Sequence, residues 1–303
     1  MKRIALTGAT SMLGVSLIQE CLGGQIEVIA ISRPGSQNIN RIPKSDLVKI
    51  MEWDICMNSP NSTADIDAFY HLAWNGTDQF SQNDVFLQNY NIEATLRAVE
   101  LAHKMNAKKF IFIGSQMEFG AVNDIMSPET PVNPSTPYGA AKYAAEKMSL
   151  AYCKQLKMEH IAFRIFNVYG IYCRPLTMIH YCISGLLRNE PPNLTKCEQM
   201  WDYAFAEDAG LALRLTGEKG KNEAVYCFGS GIARPLREYV EIIQKHINNG
   251  TKINFGAIEY QEGCTLHLQA DIRTLTEDTG FTPQVPFEIG ILKTIDWIKS
   301  TCP

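Results

Sequence analysis

Short, mostly apolar runs alternate along the first half of the chain with longer stretches in which apolar residues recur every three to four positions. The runs at 3–7, 26–31, 48–52, 68–73, 109–113 and 160–165 predict strands. Helical patterns open after residue 10 and run to about Leu22, span about 84–104, and continue from 137 to about 157. Strands alternating with amphipathic helices predict an α/β fold, a doubly wound parallel sheet of Rossmann type covered on both faces and joined by right-handed crossovers. After residue 170 the rhythm breaks, with prolines at 175, 191 and 192 punctuating a helix and loops. A helix near 206–216 and a strand at 224–228 are expected to return to the main sheet. Helices near 235–248, 272–279 and 287–299 then complete a smaller C-terminal lobe. The expected division is 1–170, with 201–230 returning to it, against 171–200 with 231–303. There is no internal repeat and no low-complexity segment.

Composition adds little to this picture but removes some alternatives. The 303 residues are 46% hydrophobic and 20% charged, enough for a large core or two lobes. A net charge of −4 without a basic block gives no footing for nucleic acid or an anionic membrane. No apolar run reaches the length of a membrane span, and the N-terminus reads as a first strand rather than a signal peptide. The nine cysteines are scattered without Cys-x-x-Cys or zinc spacing. They are expected to be reduced thiols, many of them buried, in a cytoplasmic protein that holds no metal.

Two stretches carry chemistry. Gly8, Ser11 and Gly14 stand at three-residue spacing between the first strand and the first helix. A glycine turn there lets a pyrophosphate approach the backbone, and the helix N-terminus offers N–H groups and positive dipole. The second strand ends in Ile31-Ser32-Arg33, with no acid to bond a ribose hydroxyl. Arg33 can pair with a 2′-phosphate and Ser32 can donate to it, which points to NADP in preference to NAD. Farther on, Tyr138 and Lys142 lie four apart at the mouth of a helix that Ser135 or Thr136 can cap and Pro137 can begin. They share a face, so the ammonium is expected to draw the phenol down from roughly 10 toward neutrality. Such a phenol exchanges a proton with a carbonyl or alcohol oxygen.

With these residues in view, nearly the whole chain resembles the extended short-chain dehydrogenase/reductase family of nucleotide-sugar epimerases, dehydratases and reductases. Thr7-Gly8-Ala9-Thr10-Ser11-Met12-Leu13-Gly14 resembles its phosphate loop, and Asp54, followed by Ile55, matches the acid that contacts adenine. His71-Leu72-Ala73-Trp74 resembles the segment beside the cofactor, and Asn91-Ile92-Glu93-Ala94-Thr95 the central-helix motif. Gly114-Ser115-Gln116-Met117-Glu118-Phe119-Gly120 resembles the segment whose serine binds the reacting oxygen. Arg164-Ile165-Phe166-Asn167-Val168-Tyr169-Gly170 resembles the turn beside nicotinamide and substrate, and the segment 201–208 resembles a further family motif.

The resemblance implies roles. Tyr138 is the proton donor, Ser115 polarises the carbonyl, Lys142 holds the nicotinamide ribose, and Asn91 supports the lysine through water. Phe166 and Val168 flank the cofactor, while Gln116, Met117 and Asn167 face the substrate, Asn167 at its diphosphate. Arg234 in the smaller lobe is a candidate diphosphate contact, the alternative being a surface ion pair. The implied ligands are a nicotinamide dinucleotide and a nucleotide sugar, and the implied assembly is a homodimer through the helices at about 84–104 and 137–157.

The family's dehydratases place Asp-Glu directly after the catalytic hydroxyl residue. Here those positions hold Gln116 and Met117, which cannot act as acid and base, so water loss is not expected. The Ser32-Arg33 ending favours a reductase, and the runs at 71–77, 114–116 and 201–203 resemble bacterial 4-keto-6-deoxysugar reductases. The expected activity is NADPH-dependent reduction of a nucleotide-linked 4-keto-6-deoxyhexose. The alternatives are NAD-dependent 4-epimerisation, a non-catalytic NADP sensor, and reduction of a small aromatic carbonyl compound.

Overall fold

The computed structural model describes residues 1–301 apart from 56, 58, 59, 61, 79, 176 and 262, so Cys56 and Cys302 lie outside the described residues. The chain begins β1 (Arg3–Thr7), α1 (Met12–Gly23), β2 (Glu27–Ser32), β3 (Val48–Glu52), β4 (Ala68–His71), α2 (Val85–Lys104) and β5 (Lys109–Ser115). It continues with β6 (Asp124–Met126), α3 (Pro137–Gln155), β7 (Glu159–Ile165), β8 (Asn167–Tyr169), α4 (Met178–Leu187), β9 (Asn193–Leu194) and β10 (Met200–Phe205). The remainder is α5 (Ala206–Lys219), β11 (Val225–Phe228), β12 (Ala233–Pro235), α6 (Leu236–Ile247), β13 (Asn254–Phe255), β14 (His267–Ala270), α7 (Arg273–Thr279) and α8 (Phe287–Thr301).

Seven parallel strands form the main sheet in the order β11-β7-β5-β4-β1-β2-β3. The chain winds outward from β1 in both directions. The gap between β1 and β4 is therefore the switch point, where a crevice opens at the strands' C-terminal ends. One face of the sheet is covered by α1 and α5, with Leu17, Ile18, Ala209, Ala212 and Leu213 packed on Ile4, Leu6 and Tyr226. The two helices touch closely: a Cβ at Gly210 would lie 2.6 Å from the Ser16 carbonyl oxygen. The other face is covered by α2 and α3, whose Ala98, Val99, Ala102 and Ala145 meet Phe69, Phe110 and Phe112.

A second sheet runs β12-β10-β14-β6, with β8 paired to β10. Beside it α4, α6 and α8 enclose another apolar cluster that includes Ile183, Tyr239, Val240, Phe287 and Ile291. The strands of this sheet are not among those expected from the apolar pattern. Asp202, in the middle of β10, explains part of the difference. This fully buried carboxylate accepts from Ser230 N, Ser230 Oγ, Gly231 N and Ala270 N. It ties β10 to the turn after β11 and to β14, and an acid that serves as an internal tether breaks the apolar signature of a strand.

Boundaries also shift. The fourth strand stops at His71, and Leu72–Trp74 leave the sheet for the crevice. Helix α3 ends at Gln155, followed by Lys157 in a left-handed conformation. Six of the seven described cysteines are buried thiols. None of the described helices is long and apolar enough to cross a membrane.

Candidate active site

A cleft of about 740 Å³ lies over the switch point. Its floor begins at the turn after β1. Gly8 has φ +69, and a Cβ on it would lie 2.8 Å from Ala73 N, so a side chain would push the turn off the end of β4. Ser11, where a glycine is usual, caps α1 by accepting the Gly14 N–H on its Oγ at 3.1 Å. Gly14 itself packs behind the loop rather than facing the cleft, and a Cβ there would lie 2.4 Å from the Gly8 carbonyl oxygen. Thr10, Ser11, Met12 and Leu13 line the cleft, so the first-turn amides of α1, which have no intrahelical acceptor, stand at its wall. A narrow glycine turn under a helix N-terminus fits a dinucleotide pyrophosphate.

At the end of β2, Ser32 is buried and Arg33 exposed, and both line the cleft. Ser36, Asn38 and Arg41 continue this wall, and Asp54 and Ile55 close it beyond β3. The segment from 32 to 41 contributes no carboxylate to the lining. Arg41 stacks on the ring of Tyr172 across the cleft, 4.7 Å from its centroid.

The opposite end holds Ser115, Tyr138 and Lys142 together. Thr136 caps α3, accepting the Gly139 N–H at 3.1 Å, and Pro137 occupies the first turn, which sets Tyr138 at the cleft mouth of the helix. Ser115 ends β5 and stands near enough to the Tyr138 phenol to favour its ionised form. Its Oγ accepts the Met117 N–H at 3.2 Å, which leaves the Ser115 O–H available as a donor. Lys142 donates to the Ile113 carbonyl at 2.8 Å and lies 3.7 Å over the Trp74 ring.

The electrostatics correct one expectation. Burial pushes the Tyr138 phenol up to about 12, Glu118 adds to the rise, and Ser115 and Arg174 oppose it. Lys142 does not offset this: its ammonium is 5.9 Å from the Tyr138 ring centroid and is turned to Ile113 and Trp74. Burial pushes Lys142 itself down toward neutrality. Helical spacing puts the two residues on one face without making them a close charge pair.

Asn91 is engaged by the segment after β4. Its Oδ1 accepts the Asn75 N–H at 2.9 Å, and its Nδ2 donates to the carbonyls of Asn75 and Leu87. These bonds fix the segment after β4. Gln88, which the sequence reading did not single out, completes that tether. It accepts from Trp74 Nε1 at 2.9 Å and donates to the carbonyls of Gly76 and Ser81.

Leu72, Ala73, Trp74, Phe166 and Val168 line the cleft, whereas Gln116, Met117, Asn167 and Arg234 do not. Asn167 Nδ2 is buried and unpartnered among the described residues. Arg234 pairs with Glu288 at 2.6 Å. Tyr172, Cys173, Arg174 and Thr177 form a wall with no signature in the sequence beyond membership of an unplaced loop.

The sequence profile described as the NAD dependent epimerase/dehydratase family matches residues 4–229. The chain is 25% identical, over 98% of both sequences, to a putative UDP-glucose 4-epimerase of Methanocaldococcus jannaschii. It is 27% identical, over 96% of both sequences, to CDP-abequose synthase of Salmonella muenchen. Its fold matches that of UDP-N-acetylglucosamine 4-epimerase from Methanobrevibacter ruminantium, with a TM-score of 0.87 and 22% identity over 99% of each chain. A Rossmann-type crevice with Ser115, Tyr138 and Lys142 at one end thus joins a profile match over most of the chain: this protein belongs to the NAD-dependent epimerase/dehydratase family and is an NAD(P)-dependent enzyme of the extended short-chain dehydrogenase/reductase type.

Proposed function

We propose that this enzyme reduces the 4-keto group of a nucleotide-linked 4-keto-6-deoxyhexose with NADPH. The observation that carries the reading is the wall at the end of β2, where Ser32, Arg33, Ser36, Asn38 and Arg41 line the cleft without a carboxylate. A ribose 2′-phosphate needs cations and hydroxyl donors at that point, while an acid there would repel it. The similarity to CDP-abequose synthase supports the same chemistry.

The bound dinucleotide would rest on Gly8 and the first turn of α1, with its adenosine between Arg33 and Asp54, and would supply hydride to the sugar C4. Tyr138 gives its proton to the C4 oxygen as that oxygen becomes an alcohol, and Ser115 donates a hydrogen bond to the same oxygen. Lys142 is assigned to the nicotinamide ribose, through the N–H groups not bonded to Ile113. Asn167, with its unpartnered Nδ2, is assigned to the substrate diphosphate. An equivalent role for Arg234 requires release of Glu288. Residues 171–200 and 231–303 are assigned to substrate recognition around the dinucleotide-binding part at 1–170 and 201–230. Dehydration lacks an acid: Glu118 is turned beneath Ser115, bound to its amide and to Arg164.

A second reading, NAD-dependent 4-epimerisation of a nucleotide sugar, is favoured by the similarity to a UDP-glucose 4-epimerase. A cytoplasmic homodimer is proposed in either case. Its contact would run through α2 and α3, where Phe86 and Met148 are exposed apolar side chains.

Identification of any dinucleotide released on denaturation, followed by NADPH and NADH titration of the emptied protein, separates the readings. Preference for NADPH with turnover of a 4-keto-6-deoxysugar nucleotide supports reduction. Tightly held NAD with interconversion of UDP-sugars overturns it in favour of epimerisation.

A further inference from the structure

Gln88 on α2 is buried, and both polar atoms of its side-chain amide are engaged. Its Nε2 donates to the Gly76 carbonyl at 2.7 Å and to the Ser81 carbonyl at 2.9 Å. Its Oε1 accepts from Trp74 Nε1 at 2.9 Å and from Asn91 Nδ2 at 3.3 Å. Two acceptors on one side and two donors on the other permit a single orientation of the amide, since a flipped group would set oxygen against oxygen. The backbone makes room for it. Gly76 has φ +69, and a Cβ there would lie 2.4 Å from Leu87 Cδ2 and 3.2 Å from Gln88 Nε2. Asp84 caps α2 by accepting the Leu87 N–H at 3.0 Å, which fixes the turn from which Gln88 projects.

An indole has one N–H, and Gln88 takes it. The Trp74 ring is otherwise bounded by rings, meeting Phe112 edge-on at 6.4 Å and Tyr138 edge-on at 6.0 Å. Over its face lies the Lys142 ammonium at 3.7 Å. The other neighbours of that ammonium are the Ile113 carbonyl at 2.8 Å, the Phe112 ring at 5.3 Å and the Tyr138 ring at 5.9 Å. None of these is an anion. The buried cation is held by one carbonyl and by the indole face, and only the face of the ring is electron-rich. The tilt of the indole therefore decides how firmly the ammonium is seated.

We infer that Gln88 is a positioning residue of the active site, orienting Trp74 so that the indole face seats the Lys142 ammonium at the nicotinamide ribose. The inference rests on the reading of Lys142 as the ribose contact. Trp74 and Lys142 line the cleft and Gln88 does not, so Gln88 acts through them.

The ring current of an indole shields protons above its face. In protein labelled with ¹³C-lysine, the Lys142 ε-methylene signal should therefore lie upfield of those of other lysines, and Lys142→Met identifies it by its loss. Gln88→Met and Gln88→Leu remove the acceptor at similar volume. Each should move the signal back toward the other lysines and raise the dinucleotide Kd about three- to tenfold. In a Trp74→Phe background, which has no indole N–H, Gln88→Met should raise the Kd much less. Gln82 ties the same loop by donating to the Thr77 carbonyl at 3.0 Å, so Gln82→Met is the control for a loosened loop and should leave the lysine signal in place.

The Met and Leu variants are read in parallel, so either one that folds reports on the bond. The wild-type protein gives a further check, because the Trp74 indole N–H, assigned by its loss in Trp74→Phe, should exchange slowly with deuterium. An unmoved lysine signal in a folded Gln88 variant overturns the inference, as does fast exchange of that N–H. An equal movement in Gln82→Met also overturns it, by assigning the effect to the loop. Failure of the underlying reading is seen separately, as unchanged dinucleotide binding in Lys142→Met.

Discussion

The Lys142 ammonium lies 3.7 Å over the Trp74 ring, shielded from solvent on the floor of the cleft. The indole is not free to move away, because its Nε1 is bonded to Gln88 and its ring meets the Tyr138 ring edge-on at 6.0 Å. A desolvated cation on an indole face contributes about 2 kcal/mol. Trp74→Leu should therefore loosen Lys142 and raise the dinucleotide Kd by up to about thirtyfold. Titration by calorimetry checks this, and an unchanged Kd would show that Lys142 is held by Ile113 alone.

Replacement of Tyr138 by phenylalanine removes one oxygen from a packed aromatic position. The ring contact with Trp74 should remain, and cofactor binding with it. Turnover should fall by about 10² to 10⁴, the range for loss of a positioned general acid. Steady-state rates alongside dinucleotide titration test the separation of binding from chemistry.

Much of the cleft was legible before any coordinates because its parts are local. The turn at Gly8, the cap at Ser11 and the start of α3 at Pro137 each depend on a few adjacent residues. The main sheet was legible for a related reason, since strands buried on both faces are apolar throughout. The second sheet was not, because its strands are short and pair across long separations, such as β6 with β14. Asp202 further disguises β10 by placing a charge at its centre. The direction of Lys142 could not be read either. Spacing fixes which face of α3 it occupies, but Trp74, sixty-eight positions earlier, decides where its ammonium rests.

The wall after β2 predicts a cofactor selectivity that a single substitution can reduce. Arg33 is exposed and lines the cleft beside Ser32. A charge-assisted hydrogen bond to a phosphate contributes about 1.5–3 kcal/mol. Arg33→Ala should weaken NADPH binding by about tenfold or more and leave NADH binding nearly unchanged. Equal losses for both dinucleotides would assign Arg33 to a contact other than the 2′-phosphate.

Gly14 gives a prediction about stability rather than selectivity. A Cβ at that position would lie 2.4 Å from the Gly8 carbonyl oxygen, a backbone atom that cannot move without shifting the turn. Gly14→Ala should lower stability by about 1–3 kcal/mol through overpacking and weaken binding of either dinucleotide. Gly23→Ala, where a Cβ meets nothing within 4 Å, is the matched control on the same helix and should not lower stability. Chemical denaturation of the two variants distinguishes a specific clash from a general effect of alanine in α1.

The buried histidines set the acid limit of the fold. His71 bridges Thr7 on β1, at 2.9 Å, and Thr95 on α2, at 3.2 Å, and burial lowers its pKa from 6.5 to about 3. Between those values the unfolded chain binds a proton that the folded chain refuses. The contribution of neutral His71 is thus fully present above pH 6.5 and is lost as pH falls toward 3. His160, lowered to about 4, acts in the same direction. Glu118, pushed up by burial, acts in the opposite direction, so the test is a difference between proteins rather than an absolute slope. His71→Gln can bond both threonines without titrating. From pH 7 to pH 5 the wild-type protein should lose about 2 kcal/mol more stability than this variant, since each pH unit on one refused proton is worth up to about 1.4 kcal/mol. Urea denaturation at the two pH values measures it. Parallel losses would mean that His71 accepts its proton in the folded state, with the bridge between β1 and α2 opening to admit water.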